Sequence, residues 1–403
     1  MRKIAVVGAG LGGVVLANGL LDCGFEVILV TDRSGEEIRN GTVMSTQSLW
    51  APALAIKRQL GLDIWDQDYP GIGGFRIRFG DTAAGNYREF AAALPAPGQS
   101  IDFRVALPAL MSRFATRRGT VAIRAVDIED LSALADICDL VIVATGRARG
   151  RMRELFPRDE ARSTADRPQR VGGVVYLARR EAVPQCHGGV PFEEWTLIPG
   201  VGEFFVIPAF SLAGDCHIIC LEGCIGGPLD CWQDVDTVPQ CMQTMVRLID
   251  EWLPWERDRC RDIRLVDERA AIWGGFTPMV RRPVGQLPCG RPVLAFGDLF
   301  VLNDPLVAQG GNAAIHMAKL LIDDIVAHGP RPFHREWMET YAEKAWDYAR
   351  WTVQISDMFL APDANFWRWF DHASRNPAAA AAIVRGYEDP RGWVKFLSAP
   401  VPT

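Results

Sequence analysis

Two kinds of apolar run alternate at the start of the chain. Lys3-Ile-Ala-Val-Val7 is short, continuous and β-branched, which predicts a strand buried on both faces. The glycine-rich stretch Gly8-Ala9-Gly10-Leu11-Gly12-Gly13 interrupts it, and from Val14 to Leu21 apolar residues recur on a helical scale up to Cys23-Gly24. A second apolar strand, Phe25 to Val30, ends in Thr31-Asp32-Arg33. Strand, glycine turn, helix and strand in that order open a doubly wound α/β domain.

The pattern then loosens. Residues 42–54 mix Ser45, Thr46, Gln47 and Ser48 with Leu49 and Trp50, too polar for a core segment, so cavity-lining groups begin here. Residues 66–98 are rich in Gly, Pro and Phe, and only Phe75-Arg-Ile-Arg-Phe79 alternates as a strand does; a loop and strand of a second lobe are expected. Ile101 to Phe114 reads as an amphipathic helix with Arg104 in its first turn. Thr120 to Val126 and Asp139 to Ala144 read as strands, the latter running into Thr145-Gly146-Arg147. Between 171 and 222, apolar strands are separated by turns with no helical crossover, which predicts an antiparallel sheet. Pro292 to Phe296 is another strand, delivering Gly297-Asp298, and after Asp304-Pro305 the run Gln309-Gly310-Gly311-Asn312 opens an apolar helix. From Pro332 onward the chain is helical, and its many tryptophans fall at helical spacing as a packing face.

The glycines carry the first chemistry. Gly8 lets the chain leave the strand sharply, Gly10 removes a side chain from the path of a pyrophosphate, and Gly13 allows close helix–strand packing. The helix behind them presents free N–H groups and a positive dipole end to phosphate. An acid about 20 residues on normally binds a ribose hydroxyl; here either the Thr31 hydroxyl or the Asp32 carboxylate stands at that place. Arg104, a cation at a helix N-terminus, calls for an anion, either a cofactor phosphate or a neighbouring carboxylate. Two glycine-opened helices from opposite ends of the chain imply one long ligand.

Composition narrows the class. The 403 residues are 49% hydrophobic and 23% charged, enough for a large core, and the net charge of −6 argues against nucleic acid or an anionic membrane as partner. No targeting segment or membrane-length apolar run is evident, so a soluble cytoplasmic protein is expected. Ten cysteines form no C-x-x-C pair, and Cys216, Cys220 and Cys224 read as buried structural thiols rather than a metal site.

Gly8, Gly10 and Gly13, with Arg104, Gly297-Asp298, Asp304-Pro305 and Gly310-Gly311-Asn312, resemble the FAD monooxygenases related to para-hydroxybenzoate hydroxylase. The resemblance implies that Asp298 binds the FAD ribose and that the helix opened by Gly310 points at the flavin ring, with Val126 and Pro305 among the further cofactor contacts. It implies an α/β fold: a discontinuous Rossmann-like FAD domain of the GR2 type (1–45, 99–165, 285–330), a substrate domain with an antiparallel sheet (46–98, 166–284) and a C-terminal helical segment (331–403). Single-component members carry an aspartate where Thr145 stands before Gly146, so direct NAD(P)H use is not expected. That departure, with Thr31-Asp32-Arg33 and Asp102-Phe103-Arg104, resembles the oxygenase component of two-component styrene and indole monooxygenases.

That family implies reduced FAD supplied by a separate NADH:flavin reductase, O2 as co-substrate, and epoxidation of an aromatic alkene such as indole or styrene through a C4a-hydroperoxyflavin. No catalytic side chain is expected, because the flavin carries the chemistry. Ser45, Gln47 and Leu49 resemble the indole-side pocket set, and Ile72, Phe75 and Cys220 are the further expected walls. A homodimer is compatible with this reading. The alternatives are a single-component NAD(P)H-dependent aromatic hydroxylase, and a non-catalytic partner-binding protein on an FAD fold.

Overall fold

A computed structural model describes residues 2–402 except 66–68, 70, 148–149, 179–188 and 258–263. The chain begins with β1 (Lys3–Val7), α1 (Leu11–Asp22), β2 (Glu26–Thr31) and α2 (Gly35–Arg39). It crosses to a second sheet with β3 (Ser48–Leu49), α3 (Ala51–Gln59), β4 (Ile72–Asp81) and β5 (Asn86–Ser100). It returns for α4 (Phe103–Thr116), β6 (Thr120–Ile123), α5 (Ile128–Ile137), β7 (Leu140–Val143) and α6 (Met152–Leu155). A second excursion makes β8 (Arg170–Ala178), β9 (Phe192–Ile198), β10 (Gly202–Ser211), β11 (Gly214–Cys224), α7 (Val238–Trp252) and β12 (Ala271–Gly274). After β13 (Met279–Val280) come β14 (Val284–Gln286), β15 (Pro292–Ala295), β16 (Val301–Leu302) and α8 (Gly310–His328). Four helices close the chain: α9 (Arg335–Leu360), α10 (Ala364–Ala373), α11 (Pro377–Arg385) and α12 (Pro390–Ser398).

The first sheet has the order β14-β15-β7-β1-β2-β6 and is parallel except for β14 at its edge. Its strands are apolar on both faces because helices cover both. Helices α1 and α8 lie so close that a Cβ on Gly19 would stand 2.3 Å from the Ile322 side chain.

In the second sheet, β12-β8-β11-β10-β9-β4-β5-β3, the strands between 171 and 222 pair antiparallel as expected, and one parallel neighbour is added from outside that range. β4 runs parallel to β9, with Phe75 opposite Glu193 and Ile77 opposite Trp195. Parallel neighbours need a long connection, and here it is the whole return of the chain through the first sheet. β5 is the other surprise, a 15-residue strand rich in alanine and proline. It pairs with β4 from Asn86 to Ala93 and resumes at Gly98, so Pro95 and Pro97 fall where the ladder is broken. That is where a residue without an N–H is tolerated.

The inner face of this sheet carries Phe75, Ile77, Trp195, Phe205, Ile207 and Cys220, packed beneath the C-terminal helices. Phe359 of α9 lies 5.0 Å from Trp195 and 4.9 Å from Trp393 of α12, so the late aromatics are packing residues, as their spacing implies. α7 covers the outer face. Cys216 and Cys220 are buried on the inner face as free thiols. Among the described residues there is no cluster of three metal-ligating side chains, and no helix is long and apolar enough to cross a membrane.

Candidate functional site

The C-terminal ends of β15, β7, β1, β2 and β6 are neighbours in the first sheet, so the segments that follow Val7, Thr31, Ile123, Val143 and Ala295 reach one edge. Order reverses there: β2 follows on one side of β1, while β7 lies on the other. Such a switch point opens a crevice at the strand tips.

Two glycines exist because the backbone closes on them. Gly8 has φ +117°, and a Cβ on it would lie 2.2 Å from the Ala144 carbonyl oxygen; one on Gly13 would lie 2.0 Å from the Gly8 carbonyl oxygen. Four others face open space. A Cβ on Gly10, Gly146, Gly297 or Gly310 would meet nothing within 4 Å. Gly12 belongs to neither group, since its Cβ would touch Phe296 and Ala314 at 3.0 and 3.1 Å and so packs α1 against α8.

Helix caps sharpen the contrast. α2, α5 and α7 begin with complete capping boxes, from Ser34, Asp127 and Thr237. α1 and α8 begin at Gly10 and Gln309 with no side-chain cap. Their first N–H groups are therefore available to a ligand, with the positive dipole ends behind them.

At the tip of β2 the Thr31 hydroxyl donates to the Arg33 carbonyl (3.2 Å) and accepts from the Arg33 amide (3.4 Å), while the exposed Asp32 carboxylate lies 3.8 Å from Arg33 Nε. At the tip of β15 the Asp298 side chain is open to solvent, yet the surrounding protein raises its carboxyl above the usual range, with Arg147 opposing the shift. Arg147 stacks on Phe276 at 4.0 Å beside it. Thr145 is exposed at the tip of β7, Val126 is half-buried after β6, and Pro305 is exposed on the turn before α8. Ala9 and Leu11 are buried, leaving their backbone as the part that can face a phosphate.

Arg104 departs from the cofactor role expected of it. It is 1% exposed, its Nη2 lies 2.8 Å from Asp102 Oδ2 and its Nη1 lies 2.8 Å from Asp267 Oδ2. Two carboxylates, Asp102 at the cap of α4 and Asp267 before β12, are the anions it holds. Asn312 departs likewise from the flavin: its Oδ1 accepts from the Trp50 amide at 2.9 Å and its Nδ2 donates to the Ser48 and Ala308 carbonyls at 3.0 and 2.8 Å. It clamps β3 to the start of α8, while the neighbouring Gly310 remains open.

The expected pocket residues divide into two groups. Leu49 stands at the cofactor edge, since a Cβ on Gly311 would lie 3.3 Å from both Leu49 and Leu11. Ser45 and Gln47 lie on the segment before it, held by Tyr176 of β8: its hydroxyl donates to the Ser45 carbonyl and lies 2.8 Å from Gln47 Oε1. Gln47 has φ +20°, and its Nε2 is buried without a hydrogen-bond partner. Ile72, Phe75 and Cys220 are 0%, 0% and 2% exposed, closed beneath Tyr387, Trp50 and the C-terminal helices instead of lining an open cavity.

The sequence reading missed the acids on that face. Glu193, Glu203 and Glu222 share the parity of the inward residues Trp195, Phe205 and Cys220. Glu203 forms a bidentate pair with Arg170 (2.8 and 2.9 Å). Glu193 and Glu222 each bury an Oε2 without a partner, and burial pushes both carboxyls up to about 8. Asp304, which accepts from the Leu306 amide at 3.1 Å before α8, is pushed up to about 6, again by burial. The signal was the FEEWTLI run, whose two adjacent glutamates point to opposite faces: Glu194 turns outward to Arg78 at 3.1 Å.

Comparison with known proteins agrees with this geometry. Residues 148–259 match the family described as "Styrene monooxygenase A putative substrate binding domain". The chain is 26% identical to styrene monooxygenase StyA of Pseudomonas fluorescens over 408 residues, covering 98% of this chain and 95% of that protein, and equally so to StyA of a Pseudomonas sp.. In fold it resembles flavin-dependent brominase Bmp2 (TM-score 0.69, 13% identity, 98% and 97% of the two chains). It also resembles Klebsiella pneumoniae HpxO complexed with FAD and uric acid (TM-score 0.62, 16% identity, 98% and 96%). The open glycine cradle, the uncapped starts of α1 and α8 and the carboxylate at the tip of β15 fit FAD. The chain is a flavoprotein monooxygenase that depends on FAD. Within that class it is a relative of the styrene monooxygenases.

Proposed function

We propose that this chain takes reduced FAD from a separate NADH:flavin reductase and, with O2, epoxidises an aromatic alkene such as indole or styrene. The observation that carries the two-component reading is Thr145. It is exposed at the tip of β7, beside Gly8 at the centre of the cofactor edge, where single-component enzymes of the resembled family place an aspartate for NAD(P)H.

When bound, FAD supplies the activated oxygen. The protein supplies position and dryness. Amides at the starts of α1 and α8 would hold the pyrophosphate and the flavin, Asp32 and Asp298 would accept from ribose hydroxyls, and Leu49 lies between the two helix starts. Phe75, Trp50 and the C-terminal aromatics exclude water from the inner face, which protects a reactive oxygen species from decay.

Halogenation, the activity by which some structural neighbours are named, lacks support in the side chains. The five lysines include none between Lys57 and Lys319, and Lys57 is 3% exposed and 3.8 Å from Asp63.

The test measures product from indole and styrene with protein, FAD and NADH, with and without an unrelated flavin reductase plus catalase. Oxygenated product only with the reductase is expected. Turnover with NADH alone would make the chain a single-component hydroxylase.

A further inference from the structure

The inner face of the mixed sheet has two acids that the flavin chemistry does not use and the packing does not fully satisfy, Glu193 and Glu222, and of these Glu193 stands in register with the aromatic Phe75. Glu193 is 3% exposed, and its Oε2 has no hydrogen-bond partner among the described residues. Other acids of the sheet are paired, Glu203 with Arg170 at 2.8 Å and Glu194 with Arg78 at 3.1 Å, while Glu222, whose Oε2 is also unpartnered, has Cys220 Sγ 3.6 Å from its Oε1. An orphaned buried acceptor is destabilising, and native proteins rarely keep one without a use.

Its surroundings are aromatic. Glu193 stands opposite Phe75 in the β4–β9 register. Phe75 stacks on Tyr387 with centroids 4.1 Å apart and planes at 5°, and Trp50 closes on both at 5.5 and 4.9 Å. Trp195, two residues along β9, lies 6.4 Å from Tyr387 and has its own unpartnered Nε1. The Glu193 carboxyl is close enough to Tyr387 and Cys220 to disfavour their ionised forms. The same spot adjoins the start of α8, because Gln309 there donates from Nε2 to the Tyr387 carbonyl at 3.2 Å.

We propose that Glu193 is the polar anchor of an aromatic box formed by Phe75, Trp50, Tyr387 and Trp195. The box takes a flat bicyclic alkene bearing a hydrogen-bonding ring atom, an indole-type ring rather than a plain hydrocarbon. In the structure the box is closed on itself. A ligand enters by parting the Phe75–Tyr387 stack, and Tyr387 sits on the three-residue turn Gly386–Glu388 between α11 and α12. A ring N–H donates to the Glu193 carboxyl, giving the orphaned oxygen its partner, while the ring replaces one aromatic face with another. Glu193 so placed discriminates between substrates and takes no part in oxygen transfer. The inference rests on the reading that this face receives the substrate.

The probes are indole and indene, which share a shape and differ by a ring N–H against a CH2. Dissociation constants from tryptophan fluorescence, and kcat/KM with an added reductase, are measured for the wild type, Glu193→Gln and Glu193→Leu. Leucine fills the volume without a polar atom, so the fold is retained. The wild type should favour indole at least about tenfold, the leucine variant should cut that preference at least about tenfold, and the glutamine variant should keep it within about threefold. An unchanged ratio in Glu193→Leu, or a parallel loss for both ligands, overturns the anchor. If the wild type binds indole over indene but oxidises neither, the proposed reaction fails and the anchor stands. Equal oxidation of both leaves the reaction standing and the anchor overturned, and binding of neither overturns both.

Discussion

The two sheets present ligand-facing groups in opposite ways. The parallel sheet uses backbone: glycines at its strand tips leave open space, and two helix starts leave their amides uncapped. The mixed sheet uses side chains, and they are shut away: Phe75 and Ile72 have no exposed surface, and Glu193 and Glu222 are buried acids with unpartnered oxygens. A cofactor common to a whole class of enzymes is held by groups every residue possesses. A substrate particular to one protein is met by groups that can differ, and a closed face has to be parted to admit it.

Gly8→Ala attacks the backbone side most directly. A methyl 2.2 Å from the Ala144 carbonyl at φ +117° cannot be accommodated without moving β7, so FAD affinity in a flavin-fluorescence titration should fall at least about 100-fold. Arg104→Met separates holding the molecule together from holding the cofactor. Leaving Asp102 buried without its partner should cost about 3 kcal/mol in denaturant unfolding, while FAD affinity stays near the wild-type value; an equal loss of FAD affinity would restore a phosphate role to Arg104.

Glu193→Leu tests the closed side through pH. The carboxyl titrates at about 8 in the folded protein against 4.5 as its ordinary value. The unfolded chain therefore releases this proton first as pH rises, and the wild type loses stability across pH 4.5 to 8. Below that window the acid is neutral in both states and imposes no such loss. The variant should gain up to about 5 kcal/mol on the wild type between pH 4.5 and pH 9. A pH-independent difference would mean that Glu193 is not the group that titrates. Leu49→Trp, where the two regions meet, should lower product per reduced FAD about tenfold with a matching rise in hydrogen peroxide; unchanged coupling would remove Leu49 from the pocket.

The same contrast governs what could be read from sequence. Gly8, Gly13, Gly297 and Gly310 were legible because a turn or a helix start is decided within a few residues. Arg104 was legible only as a cation in need of an anion, since Asp267 lies 163 positions away. β5 was missed because alanine and proline have little strand propensity of their own, and its conformation comes from pairing with β4. The inward acid at Glu193 was invisible because its neighbour Glu194 is also glutamate, and only the strand register decides which of the two faces Phe75.

The four crossings of the chain between sheets bear on autonomy. Residues 148–259, the segment matched to a substrate-domain family, contain β8, β9, β10 and β11 but neither β4 nor β12, the strands that cover β9 and β8. Cut out as a fragment, they would keep two naked edges and an apolar face stripped of α9 to α12. Such a surface invites edge-to-edge association. What is recognisable as a unit of descent in this chain is therefore not a unit that survives alone, and exchanging substrate preference between relatives calls for replacing side chains in place rather than grafting the domain.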